Sequence, residues 1–338
     1  MKKPVILMLI LAVYAVSCSN LSNKKQVKID GLAQGTYYSI TYYHKDGISY
    51  QPAIDSFFNA FDQSASNYLK ESIISRLNFN DSTVVADNSF TMIFNKSMEV
   101  SEKTDGAFDI TVMPLINAWG FGFTDPMKLD TAQVDSILPL VDYRNVRLVN
   151  GRLVKKDPAI MIDFNAIAQG YSADLIGRML EKKGIEDYLI DVGGEVLAKG
   201  NKPGGEEWRV GIEQPTENAD DPRSLNAVVK LKDQALATSG NYRRYIMRDG
   251  IRYAHTIDPK TGFPVTHTVL SVSVLAPDCM AADAYATAFM VMGIDKTKVF
   301  LASNPELEVY FIYSDSSGKL ATWASPGLAA LIETEKKQ

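Results

Sequence analysis

Apolar residues recur along this chain with two different periods. From Thr36 to Tyr43 (TYYSITYY) aromatic and β-branched residues crowd successive positions, which predicts a strand entered through Gly31 and Gly35. The spacing then becomes helical: Ile54, Phe57, Phe58 and Phe61 share one face, as do Phe90, Ile93, Ser97 and Val100, with Phe79 to Asn88 as the connection. Gly106 to Phe123 (GAFDITVMPLINAWGFGF) fits neither period and reads as a structured loop, followed by a variable stretch from Thr124 to Ser136. Ile160 to Phe164 reads as a buried strand feeding a helix on Ile167, Tyr171, Leu175, Ile176 and Leu180, closed by Gly184.

The second half is rich in short β-type runs separated by Gly, Pro or Asp. Tyr188–Val192, Glu195–Lys199, Trp208–Glu213, Ala227–Leu231, Arg252–Ile257 and Val269–Leu275 are expected strands, and Val309–Tyr313 and Leu320–Trp323 close the series. One Ala-rich helix, Cys279 to Met292, interrupts them and stops at Gly293, and the EKKQ tail is expected to fray. Runs of strands broken by a few long helices predict an α+β class with a mixed or antiparallel sheet, not a regular βαβ winding. A chain of 338 residues, 46% hydrophobic, can bury that as one large domain, placed at residues 29–334.

Charge narrows the partners. A net charge of -5 and no basic tract beyond the N-terminus exclude a broad nucleic-acid surface, which is built from Lys and Arg. At the N-terminus Lys2 and Lys3 precede an apolar run from Val5 to Val16 that is too short to span a bilayer as a mature helix, so residues 1–17 are expected to be an export signal. Ala15-Val16-Ser17-Cys18 ends in small residues before a cysteine, as bacterial lipoprotein signals do. Cys18 is therefore the expected lipidation site, and residues 18–28, which include the polar stretch SNLSNKKQ, the expected tether. Losing Lys2 and Lys3 on cleavage takes the charge from -5 to -7. Cys279 is the only other cysteine, so no disulfide framework exists, and its apolar neighbours mark it as a small buried hydrophobe.

The chemistry concentrates late in the chain. Asp283 and Thr287 are one helical turn apart, so their oxygens fall on one face and suit a hard cation such as Mg²⁺, which takes one or two protein carboxylates and leaves its other positions to water and substrate phosphates. The substrate is thus expected to carry phosphate. Imidazole as a side-chain type titrates near neutrality, which makes His255, in HTIDPKTGFP, a candidate either for a base or for a group orienting the ligand by hydrogen bonding. Asp258 and Thr261 shape the turn before Gly262 and Pro264. Gly193-Gly194 lacks the fingerprint of a phosphate loop and reads as a tight turn, while Arg243 and Arg244 either touch phosphate or cap a strand.

Six blocks, DFNAIAQGYSAD from Asp163, DVGGE from Asp191, WRVGIEQP from Trp208, ATSGNY from Ala237, HTIDPKTGFP from His255 and ADAYAT from Ala282, occur in an order and spacing that resemble the FAD:protein FMN transferases, the ApbE-type flavin-transferring lipoproteins. The resemblance covers the chain from about Gly31 to its C-terminal region and implies a T-fold-related architecture. It implies Mg²⁺-dependent cleavage of FAD as substrate, with FMN passed to a Thr or Ser hydroxyl of exported or membrane redox-protein subunits and AMP released. FAD hydrolysis to FMN and AMP, or flavin binding without chemistry, are the alternatives. On the same footing Asp283, Thr287 and the carbonyl of Ala166 would hold the metal. His255 and Asp283 would be catalytic, and Gln34, Tyr68, Ala118, Trp119, Gly120, Asp163, Gln169 and His255 would contact FAD. Gln34 stands where the family usually has Met, and Gln169 where it has Lys or Glu. The place implied is a bacterial membrane, the domain facing the periplasm.

Overall fold

The computed structural model describes residues 24–333 other than 125, 126, 128, 217–221, 223, 242–244, 249 and 250. The signal segment, Cys18, Arg243, Arg244 and the EKKQ tail lie outside the described residues. Among the described residues no helix is long and apolar enough to cross a membrane.

An eight-stranded, wholly antiparallel sheet organises the molecule. Its order is β1 (Lys25–Ala33), β2 (Thr36–His44), β5 (Tyr188–Val192), β6 (Glu195–Lys199), β9 (Gln234–Gly240), β12 (Val269–Ala276), β13 (Glu308–Ser314) and β14 (Leu320–Ala324). Helix α6 (Ala168–Glu181) lies between β2 and β5 in the chain, and helix α7 (Cys279–Leu301) lies between β12 and β13. Each half of the sheet is therefore a β-β-α-β-β unit with the same strand order. The two units meet at a short ladder pairing Val196 to Ala198 with Gln234 to Leu236. A long insertion in the first unit carries α1 (Gln51–Ala65), α2 (Ile73–Asn78), α3 (Asn88–Lys103), α4 (Met113–Trp119), α5 (Thr131–Ile137) and the hairpin β3 (Val146–Val149)–β4 (Arg152–Lys155).

Both faces of the sheet are covered, which explains strands that are apolar at successive positions rather than alternating. On β13, Val309 and Phe311 join the large core under α1, α3, α6 and α7. Tyr310 and Ile312 point the other way, into a second core with Trp208, Val229 and Leu328 from the ribbon β7 (Trp208–Glu213)–β8 (Leu225–Leu231) and the short helix α8 (Pro326–Leu331). A small third ribbon, β10 (Tyr245–Arg248)–β11 (Ile251–Ala254), precedes His255.

Several expectations need correction. Lys25 to Lys28, assigned to the tether, pair with Thr41 to His44, so the sheet begins before Gly31. Within the supposed loop Gly106–Phe123, Asp109 caps a single turn at Ile110–Val112 that runs into α4. Ile160–Phe164 is not a strand: instead of a ladder, Asn78 brackets Ile162 with hydrogen bonds to its N–H and C=O, both 2.8 Å, and Lys155 donates to the Ile160 carbonyl. β9, at the centre of the sheet, had no counterpart among the expected strands. The expected strand Arg252–Ile257 ends at Ala254, and Ile257 instead forms a lone bridge to Pro264. Gly293 breaks α7 as expected, at φ 72° and ψ 179°, but the helix then resumes to Leu301.

Candidate active site

The start of α6 is where the two units close on each other. Its N-cap, Ile167, supplies no side-chain acceptor, so the orphan N–H groups of the first turn need partners from elsewhere. The Gly170 N–H, third in the helix, is one of those orphans and donates to Asp283 Oδ2 of α7 at 3.0 Å. Ala166, which precedes the helix, lines the cavity beside it. The approach depends on glycine: a Cβ on Gly170 would sit 2.7 Å from the Cys279 carbonyl carbon and 2.9 Å from Asp283 Cβ. In return Asp174 of α6 accepts from the N–H groups of Cys279 and Met280 at 2.8 and 3.0 Å, so each helix start is capped by a carboxylate of the other.

Asp283, Thr287 and Ala166 line one cavity of about 780 Å³, within the usual range of ligand sites. Thr287 Oγ1 lies 3.2 Å from Ser239 Oγ of β9, which sequence reasoning missed because no periodicity marks β9 as a site wall. Asp283 is buried, and that burial raises its pKa to about 7 against the opposing bond from Gly170. Glu195, the first residue of β6, lines the same cavity, and its pKa is raised as well, first by burial and then by the Asp283 charge. Its Oε2 is buried with no hydrogen-bond partner.

The remaining expected residues divide. Gln34, Tyr68, Asp163, Gln169 and His255 all line the cavity. Gln34 turns the β1–β2 hairpin at φ 53° and accepts from Ser172 Oγ at 3.1 Å. Tyr68 stands at the rim, 69% exposed, edge-on to Phe123 with ring centroids 5.0 Å apart. Asp163 is held by Asn67 Nδ2 at 2.8 Å and the Asn165 N–H at 3.0 Å, and burial raises its pKa. Asn67 is in turn bonded by Asn78, so Asp163 is tied to a pair of amides that no sequence period announced. The His255 ring meets Phe121 edge-on at 6.3 Å. Ala118, Trp119 and Gly120 are not among the lining residues: Trp119 packs with Leu115, Val134 and Ile257, and its Nε1–H donates to the Gly262 carbonyl at 2.9 Å, while Gly120 ends α4 at φ 85°.

The described lining residues include six carboxyl side chains, those of Asp109, Asp163, Asp191, Glu195, Glu213 and Asp283, against Arg209 and His255. Among the described residues no three His, Cys, Asp or Glu side chains form a metal cluster, so a cation here would draw on carbonyl and hydroxyl oxygens as well. Carboxylate, hydroxyl and carbonyl are the donor set that Mg²⁺ and similar hard ions prefer, so the residues present fit such an ion.

The ApbE family model matches residues 34–311. This chain belongs to the ApbE family. Among curated ApbE relatives, the FAD:protein FMN transferase of Escherichia coli (strain K12) is 36% identical over 293 residues, covering 84% of this chain and 82% of that protein. That of Vibrio cholerae serotype O1 is 34% identical over 305 residues, 87% and 89% of the two chains. The solved structure of the flavin transferase ApbE from Vibrio cholerae superposes with a TM-score of 0.81 at 31% identity, covering 91% of this chain and 99% of that one. The α+β architecture expected from the strand and helix pattern is thus the ApbE architecture.

Proposed function

We propose that this chain transfers FMN from FAD to a Thr or Ser hydroxyl of exported or membrane flavoproteins, with AMP as the leaving group and Mg²⁺ or a similar divalent ion required. The observation that carries the reading is the set of oxygens brought into one cavity: the Asp283 carboxylate, the Thr287 hydroxyl and the Ala166 carbonyl are donors of the kind a hard, phosphate-binding cation takes. The ion would be held by the Asp283 carboxylate, the Thr287 hydroxyl and the Ala166 carbonyl. When bound, it neutralises charge on the bridging oxygen of the pyrophosphate.

Phosphoryl transfer asks the protein mainly for alignment and exclusion of water. The acceptor oxygen forms a bond to the FMN phosphorus as the bond from that phosphorus to the bridging oxygen breaks, and the electron pair leaves with AMP. His255 takes the hydroxyl proton. Tyr68 and Phe123 offer an aromatic edge to the isoalloxazine, and Asp163, Gln34 and Gln169 offer polar contacts along the wall. Family membership supports this reading through the activity named for the relatives. The N-terminal segment supports a lipid on Cys18 and a domain facing the periplasm.

The test is incubation of the purified protein with FAD, Mg²⁺ and a redox-subunit domain carrying a candidate Thr. A covalent fluorescent band that is lost in Asp283→Ala supports the transferase. Free FMN and AMP without a band points to hydrolysis, and uncleaved FAD to a binding protein. Mass spectrometry of the N-terminal peptide for a diacylglyceryl group on Cys18 tests the anchor.

A further inference from the structure

Glu195 is the polar group the foregoing chemistry does not use. It follows the Gly193-Gly194 turn, whose two residues at φ 71° and 113° fold β6 back against β5 so that Glu195 faces Val192. Asp191 Oδ1 fixes that turn by accepting from the Gly194 N–H at 2.9 Å. The turn therefore delivers a carboxyl group into the cavity wall, 7% exposed, with Oε2 bonded to nothing. Its electrostatic neighbours are Asp283 and Asp191, both acidic. Glu195 and Asp283 line the same cavity, and both are buried there.

A buried carboxyl with an unpartnered oxygen costs folding free energy, and a second acid beside it adds to that cost. Such a group is tolerated where something positive completes it. Arg209 lines the cavity but is paired with Glu333. We propose that Glu195 supplies a second carboxylate to the cation held by Asp283, Thr287 and the Ala166 carbonyl, which makes the site one of two carboxylates rather than one. This rests on the cation reading of the cavity given above. Mg²⁺ sites completed by substrate phosphates carry one or two carboxylates as a rule. The Gly193-Gly194 turn then has a role distinct from a phosphate cradle: it aims a ligand.

The experiment uses Mn²⁺ alone as probe, titrated into the purified full-length protein without FAD and followed through the EPR signal of the free ion, together with melting temperatures with and without Mn²⁺. E195Q is expected to weaken Mn²⁺ by about ten- to a hundredfold. Its metal-free melting temperature should stay at or above that of the wild type, because one of two facing acids is gone, while the rise on adding Mn²⁺ shrinks. D283N should lose binding altogether. If E195Q binds Mn²⁺ within twofold of the wild type while D283N does not bind, the cation site stands and the role of Glu195 is overturned. If neither variant changes Mn²⁺ binding, the cation reading itself fails. If E195Q does not fold, E195D, which withdraws the same charge by one methylene, must show the weakening; full affinity there overturns the proposal.

Discussion

Substituting Gly170 with alanine tests whether the α6–α7 junction sets the chemistry. Alanine is favoured over glycine inside a helix by about 1 kcal/mol, so a loosely packed site would be stabilised. The added Cβ would instead stand 2.7 Å from the Cys279 carbonyl carbon, where ordinary contact begins at 3.4 Å, and the obstruction is backbone, which cannot rotate away. The carbonyl oxygen is nearer still, so relief needs the helices to part by about 1 Å. A shift of that size takes the Gly170 N–H to Asp283 bond from 3.0 Å to about 4 Å, past hydrogen-bonding range. Losing a bond to a carboxylate costs about 1.5–3 kcal/mol and the overpacking about 1–3 kcal/mol. Set against the helix gain, net destabilisation of roughly 1.5–5 kcal/mol follows, a fall in melting temperature on the order of 10 °C. Flavin transfer should slow by roughly ten- to a hundredfold, because Asp283 is displaced by a large fraction of an ångström. Gly177→Ala is the comparison: its Cβ would meet only side-chain tips, Tyr188 OH at 2.7 Å and Leu197 Cδ2 at 2.9 Å, which can yield. Thermal melts and single-turnover transfer decide it. A Gly170→Ala protein as stable as the wild type, with unaltered transfer, refutes the argument that these backbones touch.

Burial raises Asp174 from 3.8 to about 7 despite its two N–H donors. The folded state therefore binds more protons than the unfolded between those values, and stability falls as pH climbs from about 4 through 7, by roughly 4 kcal/mol in all. Chemical unfolding in EDTA at pH 5 to 8 should show Asp174→Asn with a shallower decline, by up to about 1.4 kcal/mol per pH unit; parallel slopes would count against it. His267 accepts the Val269 N–H on Nδ1 at 3.3 Å and meets the Met290 carbonyl through Nε2 at 2.5 Å, so the neutral Nε2–H tautomer is specified, and burial lowers its pKa. NMR should find it titrating below 6.5, and His267→Leu should cost about 1–3 kcal/mol by orphaning that carbonyl beside the Gly293 break; a titration at or above 6.5 would contradict the assignment. Tyr68→Ala, at an exposed rim, should leave the melting temperature unchanged and weaken FAD binding roughly three- to tenfold, measured by flavin fluorescence quenching. Unchanged affinity would remove Tyr68 from the flavin contacts.

The strands with mixed aromatic and β-branched runs and the long helices were legible because burial imposes a period on sequence, and β6 and the end of α6 fell where that period placed them. What period cannot show is a segment whose backbone is satisfied by side chains. Ile160–Phe164 has the apolar content of a strand, yet Asn78 and Lys155 take its hydrogen bonds, and nothing local to it records that. Two missed elements had local marks. Asn150-Gly151, at φ 50° and 72°, is the turn residue pair that folds β3 onto β4. Asp130 and Gln133 form the capping box that starts α5. In the site, the one-turn spacing of Asp283 and Thr287 was readable, whereas Asn67 was not, and Glu195 and Ser239 were marked only as members of the DVGGE and ATSGNY blocks, since they reach the cavity through strand pairing that no local period shows.

The duplicated β-β-α-β-β topology explains why the polar residues of the site are scattered in sequence yet adjacent in space. In each unit the helix connects the second strand to the third, so α6 and α7 occupy equivalent places and meet where the sheet halves join. Meeting helix starts present unpaired N–H groups to one another, and the chain satisfies them by exchanging carboxylates, Asp283 to α6 and Asp174 to α7. That exchange stabilises the junction and also gathers buried acid around it, to which β6 adds Glu195. A junction so arranged favours positive charge for structural reasons before any substrate arrives. The insertion between β2 and α6, which brings Tyr68 and Asp163, and the segment after β11, which brings His255, then line the cavity that opens on this seam.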